Sequence, residues 1–169
     1  ALAVGQGEPG EAEAALEAAP EGPLPPPVEC LRLVLLAGLR TGAEDVAGGI
    51  AFLEAARAAA PEPPPVVDYL LAVLLTAAGE PGKALDPARR FLALFGGDDP
   101  DGRLAESEAL LALDRGAEAA ASARAGLAAV PGSPDLLAVL ARALPAGERD
   151  ELVAPFAAAG APGEALGSL

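Results

Sequence analysis

Stretches rich in leucine, valine and alanine alternate along this chain with short breaks of proline and glycine. No stretch alternates apolar and polar residues one by one, and β-branched and aromatic residues are few, so strands are not expected. The stretches also contain many glutamate and arginine residues, which favour helix together with alanine and leucine. The pattern predicts an all-α protein. The predicted helices cover residues 8–19, 28–41, 43–60, 65–78, 82–95, 101–114, 117–130, 134–144, 148–159 and 163–169.

Start and stop signals support several of these helices. Gly79 lies just past a predicted helix end, and Pro81 lies just inside the next start, where proline is favoured. Ser133 is a capping residue followed by proline at the first helical position. The segments PLPPP at 23–27 and PEPPP at 61–65 cannot be helical, so they predict breaks between helices.

An internal repeat is visible in the spacing of glycine and proline. Gly42, Gly79 and Gly116 follow one another at steps of 37 residues, and a proline lies 16 residues before each of them. Alanine recurs five and nine residues after each glycine, at 47, 84 and 121 and at 51, 88 and 125. The near copies GEPGEA at 7–12, GEPGKA at 79–84 and GAPGEA at 160–165 extend the repeat towards both ends.

The repeat predicts a helix, a tight glycine turn, a second helix and a proline-containing loop. Glycine permits the positive φ that reverses the chain. Alanines four residues apart lie on one helical face and let two helices approach closely. One such hairpin cannot bury its own apolar face, so neighbouring hairpins must stack. We therefore expect a right-handed α-solenoid.

This layout resembles the tetratricopeptide repeat (TPR), a helix–turn–helix unit of about 34 residues. Matching positions are Gly79, Ala84 and Pro100 in one repeat, and Gly116, Ala121 and Pro131 in the next. The chain departs from the family in its period of 37, in the missing aromatic residue of the first helix, and in alanine at 88 and 125 where a large residue is usual. The chain is identified as a degenerate, alanine-rich member of a TPR-like family.

The expected organisation is a single TPR-like solenoid domain over residues 1–169. It comprises a partial repeat at 1–22, repeats at about 26–62, 63–99 and 100–133, and an irregular helical part at 134–169. The first residue is alanine, and both ends fall inside repeats. We therefore expect the chain to be a fragment of a longer protein.

Charge and composition exclude several classes of function. The chain has 25 acids and 11 bases, a net charge of −14, which disfavours binding to nucleic acid or anionic lipid. No apolar run approaches the roughly 20 residues of a membrane span, and no basic signal-peptide region is visible. We expect a cytoplasmic protein, and the preference for alanine, glycine, proline and arginine hints at a bacterial source.

Few residues of this chain could take part in catalysis. The chain has no histidine or asparagine, and one cysteine, so acid–base chemistry could fall only to carboxylates, Tyr69, Lys83 or Cys30. Cys30 is expected to be a small buried core residue, since no histidine or lysine is near it in sequence. The acidic run at 98–101 does not have the order of a calcium-binding loop. We expect no enzymatic activity, no metal and no cofactor.

The resemblance implies a binding function. In the TPR family the first helix of each repeat lines a concave groove that holds a peptide or helix of a partner protein. Counting back from each glycine turn, the positions implied to face the groove are Glu29, Arg32, Leu36, Arg40, Val66, Tyr69, Val73, Thr76, Arg103, Ser107, Leu110 and Asp114.

Eight of these are the candidate partner-binding residues: Arg32, Leu36, Arg40, Tyr69, Val73, Arg103, Ser107 and Leu110. The arginines are suited to hold carboxylates through two parallel hydrogen bonds, although solvated surface arginine is the simpler interpretation. The asparagine and lysine of the family's carboxylate clamp have no match. The alternative function is a rigid spacer or dimerisation scaffold inside a larger protein, with contacts through its terminal hairpins and a possible homo-oligomer.

Overall fold

In the computed structural model, residues 9–18 and 22–158 are described. They form nine α-helices and no strand, which confirms the predicted all-α class. The helices are α1 (Pro9–Glu17), α2 (Pro26–Gly42), α3 (Val46–Ala59), α4 (Pro65–Ala77), α5 (Pro81–Leu94), α6 (Pro100–Ala112), α7 (Gly116–Ala129), α8 (Pro134–Ala143) and α9 (Ala146–Ala158). Each predicted helix up to residue 159 corresponds to one of these, and the predicted helix 163–169 lies outside the described residues.

Proline and short polar side chains define the helix starts. Proline occupies the first turn of α2, α4, α5, α6 and α8, where its missing N–H would have no helical acceptor. The side chains of Asp45, Asp99 and Ser133 accept hydrogen bonds from backbone N–H groups at the starts of α3, α6 and α8. Local sequence therefore sets where the helices begin.

The helices pack as antiparallel hairpins that stack in chain order. α2 pairs with α3, α4 with α5 and α6 with α7, and each hairpin packs against the next through α3–α4, α5–α6 and α7–α8 contacts. The first helices also touch one another directly, α4 against α6 and α6 against α8, whereas consecutive second helices in the described part make no comparable contact. The stack therefore curves, and α4, α6 and α8 form its concave side.

Burial shows that the structural period is 35 residues. The second helices start at Val46, Pro81 and Gly116, which are 35 apart. Three sets of buried residues recur at the same step: Gly49, Ala84 and Ala119; Leu53, Ala88 and Ala123; Ala56, Phe91 and Gly126. Each set faces the first helix of its own hairpin or of the next one.

The period of 37 read from the glycines is therefore wrong. Gly42 ends α2, Gly79 lies in the turn between α4 and α5, and Gly116 begins α7, so the three glycines occupy different places. The alanines five and nine residues after each glycine are not structurally equivalent either, for the same reason. Ala84 and Ala88 are buried, but their supposed equivalents at 47, 51 and 121 are exposed.

The turn of each hairpin instead requires a left-handed residue. Glu44, Gly79 and Asp114 have φ of 64°, 77° and 58°, and they are spaced 35 residues apart. Only glycine adopts this conformation without steric cost. The repeat was hard to recognise because glutamate and aspartate occupy the turn in two of the three hairpins.

Two glycines near this turn should respond oppositely to alanine. Gly79→Ala should lower the free energy of unfolding by about 1–2 kcal/mol, because a Cβ is unfavourable at positive φ. Gly82→Ala, in the first turn of α5 with open space around it, should leave stability unchanged or raise it by up to about 1 kcal/mol. Urea unfolding followed by circular dichroism measures both, and equal effects would contradict a left-handed requirement at 79.

Candidate functional site

The arginines of α2 hold α1 in place. Arg32 donates to both carboxylate oxygens of Glu29, at 2.7 and 2.8 Å, and to the backbone carbonyl of Leu16 at 2.8 Å. Arg40 forms an ion pair with Glu13 of α1 at 2.6 Å. The face of α2 assigned to the groove is thus the face against which α1 packs, and both arginines make internal contacts.

Arg103 also makes internal contacts. Its Nε donates to the Gly97 carbonyl at 2.7 Å, and its guanidinium donates to Glu106 at 3.0 Å. Glu106 is buried and accepts two further hydrogen bonds, from Arg89 at 3.1 Å and from Ser122 at 2.7 Å. The group therefore joins the 95–99 loop, α5, α6 and α7. Glu106 occupies a position that is apolar in the two preceding hairpins, where the residues 35 and 70 positions earlier are the buried Leu71 and Leu36.

Three further candidate residues belong to the core. Leu36 and Ser107 have no exposed surface and Leu110 is 2% exposed, so none offers atoms to a partner. The Ser107 hydroxyl donates to the carbonyls of Arg103 and Leu104 in its own helix. These assignments are corrected: counting from Gly42 and Gly116 gave the wrong helical face, because neither glycine lies at the turn position that Gly79 occupies.

The carboxyl of Glu106 couples stability to pH. Burial would raise its pKa, but hydrogen bonds from Ser122 and Arg89 and the charges of Arg103 and Arg89 lower it below its ordinary value of 4.5. A carboxyl with a lowered folded-state pKa stabilises the protein above the unfolded-state pKa. That contribution is lost as the pH falls through the folded-state value.

We therefore expect Glu106→Gln to lower the free energy of unfolding at pH 7 by about 1–3 kcal/mol, because three donors, of which the Ser122 hydroxyl is buried, lose a charged acceptor. The difference from wild type should shrink as the pH falls below 4.5. Glu118→Gln, which breaks a surface pair with Arg115, is the matched control and should have a much smaller effect. Denaturant unfolding at several pH values measures this, and a pH-independent loss would contradict the linkage.

An apolar strip runs along the concave side of α4. Val66 is 44% exposed, and Tyr69 and Val73 are half-buried one and two turns further along the helix. The last two pack on a small buried cluster of Ala72, Ala88 and Ala105, and the Tyr69 ring lies 5.4 Å from that of Phe91. The predicted positions on α4 thus do lie on this surface, because Gly79 occupies the turn position from which they were counted.

Carboxylates occupy the equivalent positions on the next two helices. Asp101 and Asp135 follow Val66 at steps of 35 and 34, and Glu108 follows Val73 by 35. Burial, and then the charges of Asp101, Glu108, Asp99 and Asp135, raise the pKa of Tyr69, so these acids lie near enough to act on its hydroxyl group. Burial also raises the pKa of Glu108, with Asp135 adding to the effect and Arg142 opposing it.

The sequence alone did not identify these acids as neighbours of Tyr69. The steps of 34 and 35 that connect them could have done so, had the period been known. We name the three apolar residues Val66, Tyr69 and Val73, together with the three acids Asp101, Glu108 and Asp135, the concave strip.

Other candidate chemistry is limited in the residues that the structure describes. No group of three or more cysteine, aspartate or glutamate side chains there could hold a metal ion. No helix among them is long and apolar enough to cross a membrane. Cys30 is fully buried, as expected, and its burial raises the pKa of the thiol. A cavity of about 640 Å³ beside the 61–65 loop is bordered by Arg90, whose charge is already satisfied by Asp68 at 2.8 Å.

Comparison with solved structures identifies the fold as that of TPR proteins. One similar structure is YrrB, described as a TPR protein with an unusual peptide-binding site, with a TM-score of 0.63 and 20% identity over 73% of this chain. This chain spans 62% of the length of YrrB. A second is MamA MSR-1, with a TM-score of 0.71 and 19% identity over 90% of this chain and 85% of the other. No family model and no curated protein matches the sequence.

Proposed function

We propose that this protein is a non-enzymatic interaction module that binds a segment of a partner protein on its concave strip. The observation that carries the proposal is the exposed apolar surface of α4, which no other described element covers, although α4 itself is packed on three sides. Apolar surface that stays in contact with water on a concave face is typical of binding sites. The peptide-binding site of YrrB is consistent with this use of the fold.

The charges on the strip define the chemistry of the partner. Asp101, Glu108 and Asp135 would repel an acidic segment and favour one that carries lysine or arginine beside its apolar residues. A cation near Glu108 would also favour the ionised carboxylate, whose pKa is raised in the absence of a partner. We propose a segment with apolar side chains against α4 and a basic side chain against α6.

Tyr69 provides a direct measurement of occupancy. It is the only tyrosine, and the chain has no tryptophan, so intrinsic tyrosine fluorescence reports on the concave strip alone. Peptides without tyrosine and tryptophan would be selected from a displayed library on the full chain and then titrated. We expect a saturable fluorescence change with the selected peptides. Selected peptides that bind without changing this fluorescence would place the binding site elsewhere.

A pair of valine variants tests the site. Val66→Ser should weaken peptide binding about threefold, because covering the part of Val66 that is exposed, 44%, contributes about 0.7 kcal/mol. Val130→Ser, in the turn after α7 and not among the strip residues, is the matched control because the two valines are 44% and 42% exposed. Fluorescence titration of both variants measures the dissociation constants. Equal weakening would contradict the proposed position of the partner.

A dimerisation scaffold is the second candidate, and one observation favours it. Val28, Leu31 and Leu35 lie along one exposed face of α2 and are 49%, 58% and 49% exposed. If this face joins two copies, sedimentation should show a concentration-dependent dimer that the double variant Leu31→Glu, Leu35→Glu abolishes. A monomer at all concentrations would reject this candidate and leave the concave strip as the binding surface.

A further inference from the structure

Almost every cation of this protein is neutralised by one of its own acids. Within residues 9–18 and 22–158, nine of the eleven lysine and arginine side chains lie within 4.0 Å of a carboxylate. The other two are Arg142 of α8 and Arg149 of α9, which form no ion pair in that part of the chain. With 25 acids available in a protein of net charge −14, two unpaired arginines are unexpected.

Both arginines line the same cavity. It has a volume of about 330 Å³, is open to solvent, and is bordered by Leu111, Ala141, Arg142 and Arg149. One guanidinium nitrogen of Arg149 donates to the Leu144 carbonyl at 3.2 Å, which fixes the side chain. Its Nε is buried and has no hydrogen-bond acceptor among the residues that the structure describes. The guanidinium group of Arg149 is therefore only partly satisfied by the protein, and its side chain borders the cavity.

We propose that this cavity binds a carboxylate of the partner segment. A carboxylate between Arg142 and Arg149 would accept hydrogen bonds from the terminal N–H groups of both guanidinium groups. The cavity is at the small end of the range for ligand sites, which suits one acidic side chain or a chain terminus. The inference rests on the proposed function, because the carboxylate is assigned to the segment that lies on the concave strip.

The neighbouring acids limit where the anion can lie. The charges of Arg142 and Asp135 both act on Glu108, so all three side chains lie in the same region of the concave side. An anion is therefore favoured on the α9 side of Arg142 and disfavoured over α6. The net charge of the rest of the protein matters less, because salt screens exposed charges beyond about 8–10 Å. Along the concave side, the strip is thus apolar at α4 and acidic at α6 and at the start of α8, and the two unpaired arginines follow at the end of α8 and on α9.

The test uses small probes and the full chain. The arginine Nε–Hε resonances of ¹⁵N-labelled protein are recorded, and Arg149→Lys identifies the signal of Arg149. N-acetylglycine, which carries a terminal carboxylate, and the α-amide of N-acetylglutamate, which carries a side-chain carboxylate, are titrated separately. We expect a saturable shift of the Arg149 signal with at least one probe, and the tighter probe shows which source of carboxylate the cavity prefers.

Controls separate a site from general attraction to positive charge. N-acetylglycinamide and sodium chloride at equal ionic strength should leave the Arg149 signal unchanged. Arg142→Gln should weaken probe binding at least tenfold, whereas Arg124→Gln, an exposed arginine of α7 paired with Glu148, should not change it. Circular dichroism checks that both variants keep their helices. Equal shifts with the uncharged probe or with chloride, or equal losses in both variants, would overturn the proposal.

The experiments can reject the proposed function independently of the carboxylate site. Its readout is Tyr69 fluorescence with peptides whose C-termini are amidated and that carry no acidic residue, so it does not depend on the arginine cavity. A saturable Arg149 shift without a Tyr69 response would support a carboxylate site while rejecting the concave strip as a binding surface. A Tyr69 response without any Arg149 shift would overturn the carboxylate site alone.

Discussion

Close approach of each second helix to its neighbours is the constraint on which this solenoid depends. The residue three positions after each second-helix start is Gly49, Ala84 or Ala119, and all three are buried. A Cβ at Gly49 would lie 2.5 Å from the Thr41 hydroxyl oxygen and 3.3 Å from the Leu74 side chain, so no larger residue fits without a shift. Because small residues recur at one level, successive hairpins can stack with the same geometry, and the first helices come together on the concave side.

Stacking of this kind leaves room for chemical variation at equivalent positions. At one buried position the three hairpins have Leu36, Leu71 and Glu106. The glutamate is tolerated because three donors surround it, two of them arginines, so the buried charge is both paired and hydrogen-bonded. The concave strip shows the same variation at the surface, where valine on α4 is replaced by carboxylate on α6 and α8. A solenoid with one repeating backbone can therefore present a surface whose chemistry changes from repeat to repeat.

Helix class and approximate helix boundaries could be predicted from the sequence, since capping side chains and helix-forming residues are local signals. The expectation that segments 23–27 and 61–65 are wholly non-helical is wrong, because proline is accepted in a first helical turn and α2 and α4 begin at Pro26 and Pro65. On α4 the count began from Gly79, which does lie at the left-handed turn, so it selected positions of the concave strip. On α2 and α6 the turn residues are Glu44 and Asp114, which give no composition signal, so the count began from the wrong residue and selected buried or internally bonded side chains. The ion pairs between helices could not be predicted from the sequence either, because the packing of α1 on α2 is what brings Arg40 and Glu13 together.

The chemistry of the concave side changes along its length, because its charges are unevenly distributed. In a chain so rich in acids, an arginine normally finds a carboxylate partner, and the three arginines first considered as anchors do so in α2 and α6. Such arginines stabilise helix packing and have little capacity left to hold a ligand, since a new carboxylate would have to displace an existing one. Arg142 and Arg149 differ because neither lies within ion-pair distance of a carboxylate in the described part of the chain, although the charge of Arg142 does act on Glu108. Binding capacity in this protein thus depends less on which helix carries an arginine than on whether the fold has already neutralised it.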